Sequence, residues 1–124
     1  MTQVLVVDDD EDLCQAIARL ITTLGDTHAV SANSLSDVQK LGDDLSGFQF
    51  AFLDMNLGLH QPNGIDVYHW LQAHRFQGKL VFFTGHARSH PLLIEAARLA
   101  NIEILEKPVS SVTFKAIIRG TQTP

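Results

Sequence analysis

The chain is short of cysteine, of basic charge and of long apolar runs, and each shortage removes a class of protein. One cysteine, Cys14, cannot close an intramolecular disulfide, which excludes a disulfide-stapled secreted fold. It falls in a predicted helix, where it reads as a small packing residue rather than a nucleophile. Nine Lys and Arg against fourteen Asp and Glu give a net charge of −5. The basic residues are scattered, so no stripe exists for direct nucleic-acid binding. No apolar stretch approaches the roughly 20 residues of a membrane span, and no signal-peptide core precedes the first strand. A cytoplasmic protein with no membrane contact is the expectation. At 45% hydrophobic and 19% charged residues, the 124-residue chain has globular composition, and residues 1–124 read as a single domain.

Glycine is also missing where a nucleotide-binding α/β protein would have it, in the turn after the first strand. That turn holds Asp8, Asp9 and Asp10. Four apolar runs each end on a polar residue of a different kind. Val4–Val7 ends on the three aspartates, Phe50–Leu53 on Asp54, Leu80–Phe83 on Thr84, and Ile102–Glu106 on Lys107-Pro108. Parallel strands would open all four ends on one edge, where open α/β sheets bind ligands.

The pattern between these runs alternates strand with helix. After a strand over Gln3–Val7, Asp10 is an N-cap, and Leu13, Ile17, Leu20, Ile21 and Leu24 form one apolar stripe that Gly25 stops. Thr27–Ala32 is a strand. Ser34 or Ser36 caps a helix on Leu35, Val38, Leu41 and Leu45, with Gly42 inside it at a cost of about 1 kcal/mol. Phe48–Leu53 is a central strand, followed by a loop and a helix on Ile65, Tyr68, Leu71 and Trp70. Lys79–Phe83 is the fourth strand. Pro91 opens a helix through Leu92, Leu93, Ala96, Ala97 and Leu99, which Asn101 stops. Ile102–Glu106 is an exposed edge strand, and Ser110 or Ser111 caps a last helix on Val112, Phe114, Ile117 and Ile118. Five βα units define an α/β fold, a doubly wound parallel sheet with helices on both faces.

The acidic turn repels phosphate unless a hard cation lies between them. Mg²⁺ suits the site, because it takes one or two carboxylates and completes its shell with water and phosphate oxygens. Asp54 then offers a further oxygen and a carboxylate nucleophile, Lys107 a compensating charge and Thr84 a hydroxyl donor. Taken singly, each residue has a plainer reading. Asp10 reads better as a cap, Thr84 as a turn residue, and a Lys-Pro pair after a strand is uninformative.

Together the stretches Val4-Leu5-Val6-Val7-Asp8-Asp9, Phe52-Leu53-Asp54-Met55-Asn56-Leu57, Phe83-Thr84-Gly85-His86-Ala87 and Leu105-Glu106-Lys107-Pro108 resemble the receiver domain of two-component response regulators, over about Gln3 to Arg119. The resemblance implies a flavodoxin-like (βα)5 sheet in the order 2-1-3-4-5. It makes Asp54 the phosphoacceptor, Asp9 the more direct Mg²⁺ ligand (Mn²⁺ being an alternative ion), Asp8 a ligand through water, and Asn56 a backbone-carbonyl ligand. Thr84 becomes the switch hydroxyl, Lys107 the phosphate-binding lysine, and the Lys107–Pro108 peptide is expected to be cis. A histidine kinase or histidine phosphotransfer protein is the implied phosphodonor. The face of the fourth helix, fifth strand and fifth helix is the implied switch and a surface for phosphorylation-dependent dimers.

Two departures and one tuning position stand out. Ile104 occupies the position of the usual switch aromatic. The loop from Gly58 to Gly64 is about two residues longer than usual, with Leu59 and His60 near the mouth of the site. His86, two after Thr84, stands where receivers tune hydrolytic water. The six histidines lack zinc-site spacing. A phosphorylation-independent pseudo-receiver is the alternative, favoured only by Ile104. An aspartate-nucleophile phosphatase wants a second acid where Asn56 stands. No output segment follows Arg119, so either a stand-alone receiver or a piece of a larger regulator is expected; the cognate kinase and the output are not encoded in these motifs.

Overall fold

The computed structural model describes residues 2–57, 61–85, 90–99 and 102–120. Five strands, β1 (Thr2–Val7), β2 (Thr27–Ala32), β3 (Phe50–Asp54), β4 (Lys79–Thr84) and β5 (Glu103–Glu106), form one sheet in the order β2-β1-β3-β4-β5. Every pairing is parallel. The intervening helices are α1 (Glu11–Thr22), α2 (Leu35–Leu41), α3 (Gly64–Ala73), α4 (Pro91–Ala96) and α5 (Ser111–Arg119). This is the flavodoxin-like, doubly wound fold expected from the sequence.

Strand alternation divides the core between two faces. Leu5, Val7, Ala51, Leu53, Leu80 and Phe82 pack under α2, α3 and α4, through Val38, Ile65, Leu71 and Ala96. Val4, Val6, Phe52, Val81 and Phe83 pack under α1 and α5, through Cys14, Ile21, Phe114 and Ile118. The central strands are therefore apolar at successive positions, as a strand buried on both sides must be. The edge strand β5 starts at Glu103 rather than Ile102 and is half-buried from Glu103 to Leu105, more exposed than the central strands as expected of an edge but without alternation.

Helix starts follow side-chain chemistry. Asp10 accepts from the Leu13 N–H, Ser34 from the Asp37 N–H and Ser110 from the Thr113 N–H. Asn63 and Asp66 form a reciprocal capping box at the start of α3. His90 caps α4, with Pro91 in its first turn.

Several expectations need correction. The second helix does not run through Gly42; it ends at Leu41, Gly42 turns to φ +52°, and a 3₁₀ segment over Gly42–Gly47 carries Leu45 into the core. Glycine reaches that φ without a Cβ clash, so ending the helix there costs less than continuing it. β3 starts at Phe50 rather than Phe48, because the Phe48 N–H still closes the 3₁₀ segment on Leu45. The buried line of α1 runs through Cys14, Ala18 and Ile21, and Leu13 is 38% exposed. Likewise α5 buries Phe114 and Ile118 and leaves Val112 70% exposed. Both misplaced residues sit in a first turn, where the chain has not yet settled onto the sheet. α4 stops at Ala96 instead of Leu99. Asn101 lies outside the described residues.

Candidate functional site

Val7 pairs with Leu53, so the next residues of β1 and β3, Asp8 and Asp54, emerge side by side. Asp54 pairs with Phe83 and Thr84 with Glu106, which sets Thr84 and Lys107 on the same rim. The Lys107 N–H donates to the Thr84 carbonyl at 2.7 Å, and the Lys107–Pro108 peptide is cis, as the resemblance implied.

The side chains close on one another. The Lys107 Nζ donates to Asp8 Oδ2 at 3.0 Å and stands 3.3 Å from Asp54 Oδ2. The other Asp8 oxygen, Oδ1, accepts the Asp10 N–H at 2.9 Å. Asp8 is fully buried and Asp54 is 5% exposed, while Asp9 is open to solvent. One oxygen from each of Asp8, Asp9 and Asp54 lies within 4.8 Å of the others. The Asn56 N–H reaches Asp54 Oδ1 at 3.4 Å. Lys107 also stands 5.0 Å over the centroid of the Phe83 ring, whose negative face favours the ammonium.

Burial, and then the charge of Asp8, push the Asp54 carboxyl up to about 7, although Lys107 pulls it back. Asp9 is raised for the same two reasons in the same order. Burial works against the charge on Lys107, but the two carboxylates outweigh it and hold the ammonium above its usual value. Three carboxylates thus share one ammonium among the described residues, and negative charge is left over. A hard divalent cation is the species that chemistry accommodates, with all-oxygen donors and one carboxylate open to water.

Asp8, Asp9, Asp54 and Lys107 are therefore brought together. Thr84 is 1% exposed on the adjacent strand end, and Asn56 follows two residues after Asp54 on the same rim. Ile104, paired with Phe82, is half-buried against the core face of α2, α3 and α4. His86, Gly58, Leu59 and His60 lie outside the described residues. The Asp10 side chain caps α1, its better reading, while its N–H holds Asp8 Oδ1. Two contributors went unnoticed in the sequence. Phe83 carries no signal beyond being apolar. Asn63 had one, an Asn followed three residues later by an acid ahead of an apolar run.

An open parallel sheet with an acidic cluster at its carboxyl edge places the chain among doubly wound α/β domains that bind their ligands at the strand ends. The family model for the response regulator receiver domain matches residues 4–119, and the chain belongs to that family. "Transcriptional regulatory protein FixJ" of Bradyrhizobium diazoefficiens is 25% identical over 117 residues. The match takes in 94% of this chain and 55% of the relative, so the chain spans about half the length of that protein. A receiver domain protein from Clostridium thermocellum superposes with a TM-score of 0.81 at 21% identity, covering 97% of this chain and 93% of that one. The receiver domain of NtrX from Brucella abortus gives 0.79 at 20% identity, covering 94% and 95%. Likeness at these identities carries the fold. No helix among the described residues is long and apolar enough to cross a membrane.

Proposed function

We propose that this chain is a Mg²⁺-dependent phosphoacceptor in a two-component pathway. An Asp54 carboxylate oxygen attacks the phosphorus of a phosphohistidine on a histidine kinase or histidine phosphotransfer protein. The new O–P bond forms as the P–N bond breaks, and the imidazole leaves with the electron pair. The single observation that carries this reading is the convergence of Asp8, Asp9 and Asp54 with the Lys107 ammonium on one strand-end rim.

Asp8, Asp9, Asp54 and the Asn56 carbonyl would hold the cation, Mg²⁺ or Mn²⁺ in its place. When bound it supplies charge neutralisation for the phosphoryl oxygens. The Lys107 ammonium compensates one phosphoryl oxygen, and the Thr84 hydroxyl donates to another. Water later attacks phosphorus and returns Asp54 to the carboxylate, so the protein is a self-modifying signalling element rather than an enzyme with turnover on free substrates. The added charge draws Thr84 inward and biases the face of α4, β5 and α5, which then meets a downstream protein or a second copy. Ile104 gives less rotamer switching than an aromatic, so loop movement carries more of the response. A cytoplasmic location fits this chemistry.

The test is intact mass after incubation with acetyl phosphate and Mg²⁺. A gain of about 80 Da, one phosphoryl group, in the parent but not in Asp54→Asn supports the reading. A parent whose mass stays unchanged favours the pseudo-receiver alternative, for which Ile104 is the supporting observation.

A further inference from the structure

The β1–β2 ladder ends at Val7 and Ala32, and Asp8 is the first residue beyond it. Its N–H still donates to the Ala32 carbonyl at 3.1 Å. Its carbonyl has no further strand to bond, and the side-chain amide of Asn33 takes over, Nδ2 donating to it at 2.9 Å. A carbonyl can only accept, so the partner assigns the amide orientation. Asn33 is itself pinned from the other side. Its N–H donates to Asp37 Oδ2 at 3.0 Å, and the Asp37 N–H donates to Ser34 Oγ at 3.1 Å, within the cap of α2.

That carbonyl belongs to the peptide joining Asp8 to Asp9. Fixing its plane sets the Asp9 N–Cα bond, and the Asp10 N–H held by Asp8 Oδ1 restrains the peptide on the other side, so together they narrow the direction in which the Asp9 side chain leaves the backbone. Asp8 needs little such help, because both its carboxylate oxygens already have partners in Asp10 and Lys107. Asp9 is solvent-open and has no strand to hold it. We infer that Asn33 is a positioning residue for the cation site, aiming the Asp9 carboxylate at Asp8 and Asp54 from the β2–α2 turn. The inference rests on the functional reading above.

The test is a Mg²⁺ titration followed by the amide resonances of the Asp8–Asp10 turn, on the parent, Asn33→Leu and Ser34→Ala. Leucine keeps the shape of asparagine without the donor. Ser34→Ala weakens the same helix cap without touching Asp8. Partners of metal ligands typically change affinity by about 10–100-fold, and about tenfold weaker Mg²⁺ binding is expected for Asn33→Leu alone. Its metal-free Asp9 and Asp10 resonances should also shift and broaden. Both variants should lower the urea midpoint to a similar degree. Parent-like Mg²⁺ affinity in Asn33→Leu, or an equal loss in Ser34→Ala, overturns the positioning role. A parent that binds no Mg²⁺ overturns the functional reading and the positioning role with it.

Discussion

Gly64 abuts the Asp54 carbonyl so closely that a Cβ at residue 64 would collide with that oxygen and come within 3.0 Å of the Asp54 carbonyl carbon and the Met55 Cα. The obstacles are backbone atoms of the strand end that carries Asp54, and the Gly64 N–H itself bonds the Met55 carbonyl at 3.0 Å. Gly64→Ala must therefore move either α3 or the acidic rim. Overpacking of this kind costs about 1–3 kcal/mol, read as a lower urea midpoint. Phosphoryl incorporation should fall with it, and an unchanged midpoint would refute the collision.

The raised Asp54 carboxyl predicts a pH dependence. Folded, it binds a proton up to about 7; unfolded, it releases it near 3.8. The stability this proton contributes is complete below the unfolded value and is lost as pH rises through the folded one. Without metal, unfolding free energy should fall between pH 5 and pH 8, by on the order of 1 kcal/mol once solvent screening is allowed for. Asp54→Asn should flatten this slope and exceed the parent in stability at pH 8. Urea titrations in EDTA at both pH values check it, and a variant weaker than the parent at pH 8 would contradict the sign.

Cys14 is fully buried, and its Sγ donates to the Val6 carbonyl at 3.3 Å. Burial pushes the thiol up to about 11. Labelling by an aromatic disulfide at pH 8 should then be at least about a hundredfold slower than in the urea-unfolded chain. Its rate should rise in step with the unfolded fraction. Fast labelling of the native protein would show that this thiol is neither shielded nor raised.

Arg75 sits at φ +61°, just past the end of α3. The Phe76 N–H returns to the Leu71 carbonyl at 3.0 Å and the Arg75 N–H to Gln72 at 3.1 Å, the paired bonds of a Schellman end. A left-handed non-glycine costs about 1 kcal/mol. Glycine's looser unfolded chain returns part of that, so Arg75→Gly should gain about 0.5 kcal/mol. A higher thermal midpoint is the readout, and a lower one would mean that the arginine side chain makes contacts worth more than its strain.

The sequence conveyed the strand ends of the candidate site more completely than it conveyed helix faces, and the strand order came with the family resemblance. Asp8, Asp54, Thr84 and Lys107 were legible because each closes an apolar run, and parallel pairing leaves such ends nowhere to go but one rim. Asp10 was legible as a cap, and Ser34 and Ser110 each as one of two candidate serines, for a local reason: a short polar side chain within reach of its own helix's first N–H groups. Leu13 and Val112 were not, since helical spacing alone does not say where on its first turn a helix begins to touch the sheet. The end of α2 at Gly42 turned on a positive φ that the spacing of Leu41 and Leu45 masked. Asn33 was invisible because its partner is a backbone carbonyl 25 residues away. A bond of that kind leaves no mark in residue type.

The strand order also sets a timetable for synthesis. Val4–Val7 can pair with β2 as soon as Ala32 has been made, but its other flank belongs to β3, which ends at Asp54. A nascent chain therefore carries four wholly apolar residues along an unfilled edge while more than twenty further residues are added. Pairings so distant in sequence form late, and open edges invite wrong partners. Until that flank closes, Val4–Val7 is an open apolar edge for a chaperone to grip.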